Sequence, residues 1–180
     1  MALKATISKA ELNIADMNRN YYHSHHLTLA QHPSETDERM MMRLVAFALN
    51  ASADLSFTRG LSTDDEPEIW LKDLTDRILL WIELGQPDEK RIKKACSRSD
   101  QVIIYTYQSR SAQPWWQKIA PSLRRFDNLQ VVELTTISDV QIGSLAQRGM
   151  QLQCNIQDSA IYVSSANAEV ELGLNNLMKL

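Results

Sequence analysis

The sequence predicts an α/β fold: a mixed sheet flanked by helices, with an additional β-hairpin near each end. Three observations predict it. Between Arg77 and Leu134, apolar runs of strand length alternate with two stretches of helical character, the strand-helix-strand order of a partly parallel sheet. Just before them, Leu55–Lys72 holds short alternating segments broken by turn residues, as in an antiparallel meander. Paired alternating segments with polar residues between them occur near both ends. The 180 residues fit one domain, 1–180, able to bury roughly two thirds of the unfolded surface.

The elements follow in order. Ala5–Ile14 and Tyr21–Leu29 read as strands joined across the polar Asp16–Asn20 stretch. Pro33–Glu38 supplies capping residues and first-turn acids for a helix running to about Asn50, apolar nearly all round through Met40, Met41, Met42, Leu44, Val45, Phe47 and Leu49. Glu38 falls on the face of Met42, Val45 and Leu49, either a first-turn acid on the helix dipole or a carboxylate aimed along a buried side. Leu55–Thr58, Glu68–Lys72 and Arg77–Leu84 are strands, the last almost continuously apolar. Pro87-Asp88-Glu89 opens a helix, Gln101–Tyr107 is a buried strand, Pro114–Phe126 a helix and Gln130–Leu134 a strand. Met150–Ile156 and Ala160–Val163 form a hairpin around Gln157-Asp158-Ser159.

Composition narrows the function classes. A net charge of −3 and a pI near 5.8 argue against coating nucleic acid by bulk electrostatics, so any such contact uses a local basic patch. The most apolar stretches fall short of the roughly 20 residues that span a bilayer, and the start, Met1–Thr6, lacks an apolar signal core. A cytoplasmic protein without a membrane partner is the expectation. Cys96 and Cys154 lack metal or redox spacing and read as free thiols.

The middle of the chain carries the candidate site. A hairpin turning near Thr75 and Asp76 pairs residues whose numbers sum to about 151. That register sets Trp70 opposite Trp81 and Glu68 opposite Glu83, with Glu66 on the same face. Opposed carboxylates destabilise a sheet unless a cation compensates, and Mg²⁺ or Mn²⁺, held by one or two carboxylates with water and phosphate oxygens, suits them. Alternatively, Asp65-Glu66-Pro67-Glu68 opens a short helix. Lys90, Arg91, Lys93, Lys94 and Arg98 share a broad basic helical face, either solvated or able to hold phosphates. His23 and His25 share a strand face, either polar surface or metal-ligating. Trp115 and Trp116 either pack on the sheet or stack bases.

These residues also carry a resemblance. Pro67-Glu68 opening one strand and Glu83-Leu84-Gly85 closing the next, amid helix, three strands, helix and strand, resemble the PD-(D/E)XK nuclease superfamily. More closely, the whole chain resembles the YaeQ family of small bacterial proteins. The matching blocks are Phe57-Thr58-Arg59-Gly60-Leu61, Glu66-Pro67-Glu68-Ile69-Trp70 and Trp81 through Ala95. The resemblance implies a restriction-endonuclease-like mixed sheet, a variant of the nuclease fold in a family without an agreed activity. Carried over, Glu68 and Glu83 match the two motif acids and Glu38 the acid of the first helix, giving Glu38, Glu68 and Glu83 as metal ligands. Gly85 occupies the lysine position. Gln86 then positions water, Lys90 or Lys94 supplies a displaced ammonium, and Lys90, Lys94 and Arg98 hold phosphate. Two functions follow as expectations: a metal-dependent phosphodiesterase acting on nucleic acid, or a non-catalytic binding or regulatory module, with a protein partner, that keeps the fold.

Overall fold

The computed structural model describes residues 4–59 and 63–180, a mixed α/β chain. Met1, Ala2 and Leu3, and the Gly60 and Leu61 of the first matching block, lie outside the described residues. Ten strands and three α-helices are found among those described. Their contacts gather into two compact units, one comprising the chain up to Ala51 with Thr136–Gly173, the other Ser52–Thr135 with Leu174–Leu180.

In the first unit, β1 (Thr6–Asp16) and β2 (Tyr21–Gln31) form the expected hairpin, paired without interruption from Thr6↔Gln31 to Asp16↔Tyr21. β8 (Gly149–Gln157) and β9 (Ala160–Ser164) form the second expected hairpin. Two features lay beyond the sequence reading: β8 runs parallel to β1, and β10 (Glu169–Met178) adds a strand beside β9. Alternation drives this packing. Leu12 and Ile14 of β1 and Leu152 and Cys154 of β8 turn to one buried face, where Leu12, Leu152 and Val163 meet Met41, Leu44 and Val45 of α1 (Asp37–Asn50).

Both ends of α1 are tied down. Thr36 is its N-cap, its hydroxyl accepting from the Arg39 N–H at 3.1 Å. Arg19 donates to the carbonyls of Ala48 and Ala51 at the other end while its Nε pairs with Asp16 at 2.7 Å. A 3-10 turn, Ile142–Leu145, lies against the first turn of the helix. A Cβ on Gly143 would stand 3.0 Å from the backbone nitrogen of Glu38, so a side chain there would push the helix backbone back by a few tenths of an ångström.

The second unit has strand order β7-β6-β5-β4-β3. β3 (Ser56–Phe57), β4 (Ile69–Lys72) and β5 (Ile78–Leu84) are antiparallel; β6 (Ser99–Thr106) and β7 (Leu129–Thr136) continue parallel to β5. α2 (Glu89–Arg98) connects β5 to β6, and α3 (Ser109–Leu123) connects β6 to β7. Trp81, Val102, Ile104, Leu129 and Val131 from the strands join Ile92, Ala95 and Leu123 from the helices in one core. Helix α3 begins five residues before the expected start at Pro114, because Pro114 and Pro121 both lie inside it. Proline is the usual first residue of a helix, and the preceding turn, with Ala112 as its one buried residue, shows no apolar periodicity to reveal it.

Candidate functional site

The β4–β5 hairpin has the register expected from its turn. Ile69 pairs with Ile82, Trp70 with Trp81 and Leu71 with Leu80, sums of 151, before the register shifts at Lys72. The paired register ends at Ile69, and Glu68, in the bend ahead of β4, is near enough for its charge to act on Glu83. Glu68 stands immediately ahead of β4, and its N–H donates to the Ile82 carbonyl at 3.0 Å while its own carbonyl accepts from Thr58 at 3.1 Å. Backbone bonds on both sides thus hold Glu68 in the sheet, and the alternative of a short helix from Pro67 does not form. The turn is locked by Asp73, whose carboxylate accepts from the Thr75 N–H and hydroxyl and from the Arg77 N–H, bonds that hold its pKa below the usual range. Glu66 lies in the bend before the strand, where strand alternation no longer applies; its carboxylate accepts from Thr63 and the Arg59 N–H.

Glu68 and Glu83 are buried, 4% and 3% exposed. Oε1 of Glu83 accepts from the Trp81 indole N–H at 2.8 Å and from Arg91 Nε at 2.9 Å. Burial pushes the Glu83 carboxyl up; the bond and charge of Arg91 and the Trp81 bond pull it down, the negative charge of Glu68 pushes it up again, and the net direction is up. Arg91 is the cation paired with Glu83. Asp88 caps α2 by accepting from the Arg91 N–H at 2.8 Å, which sets the arginine on the first turn, and the guanidinium also donates to the carbonyls of Asp64 and Glu66. The sequence marked Arg91 only as one charge of a basic face; its place three residues after the cap Asp88 was the available signal.

The other expected residues belong to both units. Lys94 binds the Asp65 carboxylate and the Asp64 carbonyl, and Arg98 lies 3.7 Å from Asp65, so both basic side chains face the acidic segment 64–66. Lys90 is exposed on the same helix. Gln86 is exposed and donates to Ser111 Oγ at 2.7 Å. Gly85, at the motif-lysine position, has φ +94°, a conformation that penalises any side chain. Glu38 is half-buried on α1 in the first unit. Among the described residues, no three His, Cys, Asp or Glu side chains gather as a metal-binding group.

The remaining candidates take structural places. Tyr21 Oη and His25 Nε2 are 2.7 Å apart, the His25 ring stands edge-on to Phe47, and burial followed by the charge of His23 lowers the His25 pKa. Trp115 donates to the Pro87 carbonyl at 3.0 Å, and both Trp115 and Trp116 pack on the core of the second unit; packing is their observed role, because the apolar face beneath them needs a cover. Cys96 and Cys154 are free, their thiols pushed by burial to about 11 and about 12. A cleft of about 850 Å³ in the first unit is lined by Lys9, Glu11, His26 and Gln151 among others, and does not include Glu68 or Glu83.

Sequence reasoning missed two polar positions beside the acids. Thr106, the last residue of β6, pairs with Glu133 of β7. Alternation puts Thr106 on the face of Ile104, the residue that pairs with Glu83. Glu133 is 5% exposed, and Thr106 is fully buried, its hydroxyl without a hydrogen-bond partner among the described residues. Thr106 ends an apolar strand and Glu133 interrupts one, so neither leaves a periodic signal.

Comparison with known proteins agrees over nearly the whole length. The family model described as YaeQ protein matches residues 1–174. The uncharacterized protein YaeQ of Salmonella typhi is 51% identical and that of Escherichia coli strain K12 50% identical, each over 174 residues, 97% of this chain and 96% of the relative. The crystal structure of YaeQ protein from Xanthomonas axonopodis pv. citri superposes with a TM-score of 0.92 at 47% identity, covering 98% of this chain and 99% of that one. The Pseudomonas syringae YaeQ protein gives 0.90 at 35%, covering 98% and 97%. With a matching fold and this identity over almost every residue, the chain belongs to the YaeQ family.

Proposed function

We propose that this chain is a metal-dependent phosphodiesterase acting on nucleic acid, on a variant of the restriction-endonuclease-like PD-(D/E)XK fold. One observation supports the reading: two buried glutamates, Glu68 just ahead of β4 and Glu83 in β5, lie close enough for the charge of one to act on the other, with a guanidinium 2.9 Å from Glu83. The donor set fits Mg²⁺ or Mn²⁺, which take one or two carboxylates and complete their shell with water and phosphate oxygens. Glu68 and Glu83 would hold the ion, which when bound polarises a phosphoryl oxygen and acidifies water.

The chain's own residues supply the rest. Arg91 offers the positive charge that Gly85 cannot, offsetting charge that develops on a phosphoryl oxygen. Gln86 carries an exposed amide able to orient water by accepting or donating. Lys90, Lys94 and Arg98 extend the cationic face of α2 for the phosphate backbone. A second reading, a non-catalytic binding or regulatory module, is favoured by the two hydrogen bonds that already engage Oε1 of Glu83.

Thermal melts with millimolar Mn²⁺ or Mg²⁺ separate the two. Under the first reading the wild type gains stability by mass action, about 2.7 kcal/mol at a hundredfold excess over Kd, and Glu83→Gln abolishes both this gain and any cleavage of DNA or RNA. No stabilisation and no cleavage by the wild type would leave the binding module.

A further inference from the structure

β2 is the outermost strand of the first unit, and among the described residues no strand pairs with its other side. Edge strands usually carry protection: short length, a bulge, proline or charge. β3, at the end of the strand order in the second unit, is only two residues long. β2 has none of these devices. Its eleven residues, Tyr-Tyr-His-Ser-His-His-Leu-Thr-Leu-Ala-Gln, hold one unbroken register with β1 and include no proline, glycine, lysine, arginine or acid. One of its carbonyls, that of Ala30, already accepts from Arg43 at 3.1 Å.

We propose that the open edge of β2 pairs with β2 of a second copy of this chain, antiparallel, about a two-fold axis at His26. A two-fold pairing joins residues of equal parity, so side chains keep to their faces. Overlap of the whole strand makes paired numbers sum to 52, with Tyr21 opposite Gln31 of the second copy and His26 opposite itself. The exposed apolar residues choose the same register. Tyr22 is 56% exposed, and Ile7, the β1 neighbour of Ala30, is 52% exposed on the same face. In this register Tyr22 lies opposite Ala30 of the second copy. The small alanine leaves the ring room to reach over toward the second copy's Ile7, and symmetry repeats the contact at the other end. No fixed like charges oppose one another along the seam. At about 3.4 Å per residue the strand is roughly 37 Å long, and its main-chain bonds approach the ten or so of a standard interface.

Ser24 and Thr28 oppose one another across the axis, which allows a charge test. Sedimentation of the full-length wild type should show a concentration-dependent dimer. Ser24→Glu with Thr28→Glu places like charges opposite each other twice, whereas Ser24→Lys with Thr28→Glu places opposite charges there. Because both variants carry Thr28→Glu beside Lys9, they differ only in sign at position 24. The Glu/Glu variant should dimerise about tenfold or more weakly than the Lys/Glu variant, with far-UV circular dichroism confirming that both remain folded. If a variant unfolds, the single substitution His26→Glu, on the axis, gives the same reading by weakening the dimer. A wild type that stays monomeric up to about 1 mM, or equal association of the two folded variants, overturns the proposal.

Discussion

At Glu83, burial and charge pull in opposite directions, and the net rise of its pKa fixes a sign for the pH dependence of stability. A carboxyl whose folded pKa exceeds its unfolded value binds more protons when folded. Its contribution is therefore complete below the unfolded pKa, near 4.3 for glutamate, and is lost as pH rises through the folded value. Glu83→Gln should remove this component, so a urea titration of the metal-free protein between the usual glutamate range and neutrality should show a smaller decline than in the wild type. Arg91→Ala acts oppositely: it leaves a buried carboxylate without its partner and should cost about 1–3 kcal/mol at neutral pH, again measured by urea unfolding. Gly85 is the other decisive residue. At φ +94° a lysine there would carry backbone strain, so Gly85→Lys should destabilise the fold by about 1–2 kcal/mol rather than rebuild a nuclease motif.

Among the elements, α2 and the segment before β4 form a matched pair. The Lys94 hydrogen bond and charge, with a smaller effect of Arg98, hold the Asp65 carboxyl below its usual range. Asp65→Asn should relax this hold and leave more positive charge on the helix. Short DNA should then bind more tightly, with a salt dependence steeper by about one charge, read by fluorescence anisotropy across a salt series. α1 carries a different charge arrangement. Arg43 donates to both oxygens of Glu35, at 2.7 and 2.8 Å, and Arg39 adds a third bond at 2.9 Å. Glu35→Gln leaves a buried guanidinium short of charge and should cost about 3–5 kcal/mol in thermal or urea unfolding. The sequence placed Glu35 only in the capping region, because nothing in helical periodicity announces a buried ion pair.

For the whole molecule, β10 has Glu169–Gly173 in the first unit and Leu174–Met178 in the second. All four tryptophans, Trp70, Trp81, Trp115 and Trp116, belong to the second unit. Tryptophan emission thus reports the second unit alone, while far-UV circular dichroism reports both. When Glu35→Gln weakens the first unit, the transition read by far-UV circular dichroism should therefore move to lower temperature. None of the described helices is long and apolar enough to cross a membrane.

Local pattern determined a good part of this protein. Turn residues at Asp73–Asp76 and the alternation around them were enough to predict Trp70 against Trp81. The two terminal hairpins and the starts of α1 and α2 were legible for the same reason: turns, caps and strand periodicity act over a few residues. Tertiary structure alone decided the rest. The parallel β1–β8 pairing joins segments more than a hundred residues apart, and Arg91, rather than a lysine, is the cation at Glu83 because of how α2 lies against the bend before β4. Thr106 and Glu133 become neighbours only when parallel strands align, and β2 is an edge because, among the described residues, β1 is the strand it pairs with. Periodicity specifies which face of an element is buried; which elements meet depends on contacts between distant segments, and those leave no local signature.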